Sequence, residues 1–253
     1  MNVQVLIAAM HQTDHSILEK MNIQSDAIVG NQCDTNSIED FIHNGHSIRF
    51  LNFAERGVGL NRNNALMRAT GDICLFADDD MRFFDNYVNT VEKAFNDNPK
   101  ADVIIFNIKE NVVIRYINKK ARRVNKFNFL RYGAARIAVR LSSVKERGIY
   151  FNECFGGGTE HSAGEDNLFL ASCLKAGLRV YTSPCYLAEL LDDRESSWFR
   201  GYNEKYLRDK GCLYKTISPK WWILLCFQDA VRHKKMYGLS AGKSFYKMIH
   251  FEK

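Results

Sequence analysis

The sequence has little that would break or staple a chain. Only three of its 253 residues are proline, and sixteen glycines are scattered without period. Collagen-like and low-complexity architectures are therefore excluded. Seven cysteines (Cys33, Cys74, Cys154, Cys173, Cys185, Cys212 and Cys226) form no CxxC pair, and their number is odd. That argues against a disulfide framework or a zinc knuckle, and for a reducing cytosol. Long hydrophobic runs are missing too. The densest late run, Trp221 to Phe227, has seven residues, against about 20 needed to span a bilayer. The N-terminus carries no basic segment followed by a small-residue cleavage site, so a secretory signal is not expected.

What is present is an ordinary globular balance, 46% hydrophobic and 25% charged, which argues against intrinsic disorder. The net charge of +6 is unevenly spread. Residues 109–147 hold 12 Lys/Arg and 2 Asp/Glu; residues 200–253 hold 12 and 4; the rest holds 11 and 23. An acidic body with two basic segments suits contact with something anionic, such as a phospholipid surface or a pyrophosphate-linked acceptor.

Strand-like and helix-like segments alternate over the first 108 residues. Val3 to Ala9, Asp26 to Gly30, Ser47 to Phe53, Ile73 to Ala77 and Val103 to Ile108 read as strands. Helices are expected from Ser16 to about Met21, Ser37 to His43, Gly57 to Ala69 and Phe83 to Phe95. This pattern predicts a parallel sheet with helical crossovers. Further on, Ala134 to Leu141 and Leu178 to Thr182 read as strands and Gly164 to Ala176 as a helix. The chain from Ser196 onward reads as helical and amphipathic.

In such sheets ligands bind beyond the carboxyl ends of the strands. Asp34 follows strand two, and Asp78, Asp79 and Asp80 follow the apolar strand 73–77. Three adjacent carboxylates repel one another unless a cation or a donor-rich ligand sits among them. Hard oxygen ligands suit Mg²⁺ or Mn²⁺. Glu165 and Asp166 open a helix behind Gly164, where a carboxylate can act as a general base beside a flexible glycine loop at 156–158. Arg62, on a helix entering the crevice, suits a pyrophosphate.

Taken together, Gly57 through Arg62 and Asn63, then Gly71-Asp72 with an apolar strand ending in Asp78-Asp79-Asp80, then Gly164-Glu165-Asp166, resemble the family 2 glycosyltransferases, especially the bacterial capsular and exopolysaccharide type. The resemblance covers about residues 1–190. Ser196, Ser197, Trp198 and the stretch from Gly201 to Gly211 also resemble the C-terminal part of polysaccharide-synthesis members. The resemblance implies a GT-A fold, α/β and Rossmann-like, with a mostly parallel sheet flanked by helices and a helical C-terminal extension. It implies a catalytic domain at 1–195, with a donor half at about 1–108 and an acceptor half at about 109–195, and an extension at 196–253.

The implied activity is inverting transfer of a sugar from a nucleoside-diphosphate donor, UDP first, to a glycan or polyprenyl-pyrophosphate-linked acceptor. The implied donor contacts are Ala9, Asp34, Arg62, Asp78 and Asp79. Asp80 and Asp78 would hold Mn²⁺ or Mg²⁺, with Asp192 and Asp193 as further oxygen ligands. Asp166, with Glu165 beside it, would be the base. The run Ala8-Ala9-Met10-His11 departs from the family's usual end to strand one, and Asn31-Gln32-Cys33-Asp34 from its usual end to strand two.

The tail from Trp221 to Phe227, followed by Arg232, Lys234, Lys235, Lys243 and Lys247, suits a helix lying in a membrane interface. The expected place is the cytoplasm, peripheral to the inner membrane face. A sugar-phosphate nucleotidyltransferase would need a glycine-rich, lysine-containing loop after strand one, and His11-Gln12-Thr13 is not one. A non-enzymatic anion or nucleic-acid-binding module would explain the basic segments but not the three aspartates, so no nucleic acid is expected.

Overall fold

The protein is described from a computed structural model covering residues 1–111, 115–191 and 201–250. Asp192, Asp193, Ser196, Ser197 and Trp198 lie outside the described residues. Among the described residues a nine-stranded mixed sheet runs in the order β3-β4-β2-β1-β5-β8-β7-β9-β6. Its centre is β1 (Val3–Met10), flanked by β2 (Asp26–Gln32) and β5 (Ile73–Asp78), both parallel to it. β4 (His46–Phe53) continues the parallel run beyond β2. Along β1, β2 and β5 the side chains of both faces are buried, so their apolar residues run on without alternation.

β1 is the switch point. The chain leaves it through α1 (Ile17–Lys20) to β2 on one side. It later returns through α2 (Val58–Arg68) to β5 on the other. The crevice between the diverging connections opens at the carboxyl ends of β1, β2 and β5.

The sequence pattern misled at three places. The segment Ser37–His43 is not a helix but an edge strand, β3, antiparallel to β4. The two are joined at Asn44 (φ 49°) and Gly45 (φ 82°), and an Asn-Gly pair with both residues at positive φ is the preferred two-residue hairpin turn. The expected helix at Phe83 to Phe95 begins later, as α3 (Tyr87–Asp97), after a short strand β6 (Met81–Phe83). β7 (Val103–Lys109) follows as expected. The strand expected from Ala134 opens with a single 3₁₀ turn, and β8 is only Ile137–Arg140, leading into α4 (Leu141–Glu146). β8 inserts antiparallel between β5 and β7, so the parallel run stops at β5.

α5 (Glu165–Lys175) leads to β9 (Val180–Leu190), parallel to β7 and longer than its sequence signal because its far half pairs with β6. Among the described residues four helices follow: α6 (Glu204–Ile217), α7 (Trp222–Arg232), α8 (Lys234–Tyr237) and α9 (Ala241–Ile249). They share a small core of Leu207, Tyr214, Cys226, Ala230, Tyr237 and Met248. Asp229 is buried inside it, accepting hydrogen bonds from the Tyr214 hydroxyl at 2.9 Å and the Tyr237 hydroxyl at 2.5 Å. All seven cysteines are free.

Candidate active site

The site is organised by one guanidinium. Arg62 sits mid-way along α2, its side chain 5% exposed. Its Nη2 donates to Asp78 Oδ1 at 2.6 Å, and its Nη1 donates to Glu165 Oε1 at 2.8 Å. The Phe151 ring lies 5.4 Å from its Cζ. Burial disfavours the charge, but Asp78 and Glu165 outweigh it, so the Arg62 pKa is raised. The end of β5 and the start of α5 are thereby brought to one point.

α2 reaches that point because its entry is small. A side chain at Gly59 would meet the Asn152 carbonyl oxygen at 2.5 Å. The helix opens at Gly57, whose N–H donates to Gln32 Oε1 at 2.8 Å, and Val58 N–H donates to the Gly157 carbonyl at 3.0 Å. The glycine loop at 156–158 is thus seated on the first turn of α2.

Asp78, Asp79 and Asp80 do different work. Asp78 ends β5 and faces Arg62. Asp79 Oδ2 accepts from Gln12 Nε2 at 3.2 Å and lies 3.4 Å from the Met10 backbone nitrogen, tying the turn to the end of β1. Asp80 is half-buried. Burial first, then Asp78 and Asp79, push its carboxyl up to about 6. A cation beside Asp80 would relieve that crowding.

The donor set also fits a hard divalent ion on chemical grounds, since all three side chains offer oxygen. Among the described residues no group of three or more His, Cys, Asp or Glu side chains is arranged to hold a metal ion. Mg²⁺-type ions commonly take one or two protein carboxylates and complete their shell with water and substrate phosphates.

Glu165 and Asp166 are separated in role by their surroundings. Glu165 is buried, bound by Arg62, and its Oε2 also accepts the Gly164 N–H at 3.1 Å. Asp166 keeps an accessible edge. Its Oδ1 accepts the Asn167 N–H at 2.6 Å, and Gly133 leaves room beside its Oδ2. The crowd of protein atoms around it and the Glu165 charge raise its pKa, against Arg62 and Lys210.

The remaining expected donor residues are more scattered. Asp34 is largely exposed on the loop after β2, where it accepts from Arg56 Nη2 at 2.6 Å. Ala9 is buried in β1, opposite Asn31 of β2. The polar floor of the crevice comes instead from amides that sequence reasoning did not single out. The Asn31 side chain clasps the Gln12 backbone, its Oδ1 accepting the N–H at 3.0 Å and its Nδ2 donating to the carbonyl at 2.9 Å, and Nδ2 also donates to Asn52 Oδ1 at 2.7 Å. Asn31 is fully buried. A polar residue directly after an apolar strand was the only signal available for it.

The C-terminal helices close the far wall. Asp209 on α6 accepts from the Ser162 N–H at 3.0 Å and Oγ at 3.1 Å, and from Lys205 Nζ at 2.7 Å. His161 Nδ1 lies 3.2 Å away. Burial opposes the Asp209 charge, yet these hydrogen bonds prevail and hold its pKa down. One turn on, Leu213 packs where a side chain on Gly164 (φ 120°) would fall, at 2.8 Å.

The family model of glycosyl transferase family 2 matches residues 11–152, more than half of the chain. The chain belongs to glycosyltransferase family 2. No curated protein sequence matches it. Among solved structures it is similar to S. aureus TarS 1-349 in complex with UDP-GlcNAc, at 18% identity and a TM-score of 0.66, covering 97% of this chain and 75% of that one. TarS 1-349 in complex with UDP is similar at 19% identity and a TM-score of 0.62, covering 93% and 72%. Against the longer S. aureus TarS structure the values are 16% and 0.63, and the chain spans 54% of its length. The shared fold is GT-A, with the helical C-terminal region also present in this glycosyltransferase.

Proposed function

We propose that this enzyme is an inverting transferase moving a sugar from a nucleoside-diphosphate donor, UDP first, to a hydroxyl of a glycan or lipid-linked oligosaccharide during synthesis of a cell-surface polysaccharide. The observation that carries the reading is the convergence of Asp78, Glu165 and Asp166 around the buried Arg62, at the carboxyl end of the central strands. The UDP and UDP-GlcNAc bound by the TarS structures support the choice of nucleotide.

The division of labour follows from exposure and charge. Asp166 takes the proton of the attacking hydroxyl. It is the accessible carboxylate of the pair, and its raised pKa makes it a better base than an ordinary aspartate. Glu165 is committed to Arg62 and holds the start of α5 in place. Asp78 faces the donor side and is fixed by the same arginine. Arg62, being enclosed, positions both carboxylates rather than reaching for the diphosphate itself. Asp34 and the Asn31–Gln12 pair would border the base and ribose. Asp80 would hold Mn²⁺ or Mg²⁺, which supplies charge neutralisation to the leaving diphosphate.

Calorimetry with UDP, with and without Mn²⁺, on wild type and Asp80→Ala tests this directly. Metal-dependent binding that disappears in the variant is expected. Binding of GDP or CMP in place of UDP would move the donor class. No nucleotide binding under any condition would overturn the reading.

A further inference from the structure

Among the described residues, the outer side of α7 is left largely exposed. Its inward side carries Cys226, Asp229 and Ala230, all buried. Trp221, Leu224, Phe227 and Val231 recur at helical spacing on the opposite side, with Trp221 64% and Phe227 54% exposed. The Phe227 ring meets Phe245 of α9 edge-on at 5.8 Å, and the next residue, Tyr246, is again exposed. A row of large apolar side chains in water marks an interaction surface.

The charge around that row says what covers it. Lys220, Arg232, Lys234, Lys235 and Lys243 are all exposed. Between residues 205 and 250 there are only two acidic residues, Asp209 and Asp229. Both are buried and hydrogen-bonded within the fold. The exposed carboxylate next to this stretch, Glu204 at the start of α6, is paired with Arg208 and Lys247, so the described surface around α7 carries a clear excess of positive charge. A protein interface would ordinarily carry charge of both signs at its rim; a bilayer rich in anionic headgroups matches positive charge throughout.

We infer that the outer side of α7, with the flanking lysines of α8 and α9, is a docking surface for an anionic lipid bilayer. The aromatic and aliphatic side chains enter the headgroup boundary, and the lysines meet the lipid phosphates. No helix among the described residues is long and apolar enough to cross a membrane, so the attachment is interfacial. The surface is set on the same helical unit whose α6 holds the loop in front of Asp166. Docking would thus present the catalytic crevice at a fixed attitude to lipid-borne acceptors.

The test is flotation of the full chain with vesicles of pure phosphatidylcholine and of phosphatidylcholine with phosphatidylglycerol. Wild type should float with the anionic vesicles, and 0.5 M salt should weaken this, as electrostatic attraction requires (roughly a Debye length of a few ångströms at that strength). The double variant Leu224→Glu with Phe227→Glu should lose about tenfold or more of its partitioning. Its circular dichroism and UDP binding should match wild type, because neither side chain belongs to a core or to the crevice. Wild type that does not float with anionic vesicles overturns the inference. A wild-type dimer that the double variant converts to monomer, without flotation of either, would also overturn it and assign the surface to a second copy of the chain.

Discussion

Arg62 and Glu165 form a buried ion pair at 2.8 Å, and the same guanidinium holds Asp78. A single side chain on α2 thus links a carboxylate at the end of β5 to one at the start of α5. Removing it would leave two carboxylates in a poorly solvated space. Breaking a buried pair by deleting one partner typically costs about 3–5 kcal/mol. We expect Arg62→Ala to lose stability of that order in urea denaturation and to lose transfer activity together with it. Arg62→Lys should recover part of the stability but little activity, since an ammonium cannot fork between both carboxylates as the guanidinium does. An Arg62→Ala protein as stable as wild type would mean that the arginine serves the nucleotide and not the architecture.

The two acidic neighbours at the start of α5 should separate in kinetics. Asp166→Asn should lower the transfer rate by about 10²–10⁴, the usual contribution of a positioned base. UDP affinity should stay within about twofold of wild type. The sign of the pH effect follows from the raised pKa. The base works deprotonated, so activity rises with pH, and the acidic limb of kcat/KM should lie above the range of an ordinary aspartate, about 3.9. Equal losses of transfer and UDP binding in Asp166→Asn would remove it from the base role.

Asp80 offers an opposite pairing of stability and function. Its pKa is raised in the folded enzyme, so folding favours the protonated form. Below its unfolded pKa there is no penalty; the penalty grows as pH rises and is complete above about 6. A rise from 3.8 to about 6 corresponds to at most about 3 kcal/mol, and the partly solvated position suggests about 1–2 kcal/mol in practice. Asp80→Asn should therefore melt higher than wild type at pH 7.5 in EDTA, with the gap closing near pH 4. The same variant should lose Mn²⁺-dependent UDP binding. Such a trade of stability for function is common at sites that await a charged ligand. A variant that melts lower at pH 7.5 would contradict the crowding of Asp78, Asp79 and Asp80.

How far the sequence foretold this arrangement depends on range. β1, β2 and β5 carry mainly apolar stretches, and these together with their spacing foretold the central strands. The segment from Ser37 to His43 failed because Ile38 and Ile42 suggest helical spacing, while the deciding Asn44-Gly45 turn lies just outside it. Arg62 was recognisable as a site residue by its motif. Its enclosure by Asp78, Glu165 and Phe151 was not, because the last two come from segments far along the chain and packed beside α2 only by the fold. The amides of Gln12, Asn31 and Asn52 carry no periodic signal; their hydrogen bonds to one another across the ends of β1, β2 and β4 are set by the fold. The hold of Asp209 on Ser162 was equally invisible, since it joins a loop to a helix beyond the expected domain boundary at 195.

That hold predicts a kinetic effect of its own. Asp209 lies on α6, touching neither Asp166 nor the three aspartates, yet it fixes His161 and Ser162 just ahead of Gly164. Asp209→Ala would free that loop and leave the half-buried Ser162 N–H without its acceptor, at a cost of about 1 kcal/mol. With the loop freed, Glu165 and Asp166 lose part of their fixed orientation. We expect kcat to fall by about tenfold or more while the KM for the donor changes little, because a misplacement of the base by about 1 Å weakens catalysis and not donor binding. Asp209→Asn keeps one oxygen for the Ser162 N–H, so it should rescue part of kcat. Alanine and asparagine variants with the same kcat as wild type would confine Asp209 to folding stability. A parallel rise in donor KM would instead place the loop at the nucleotide.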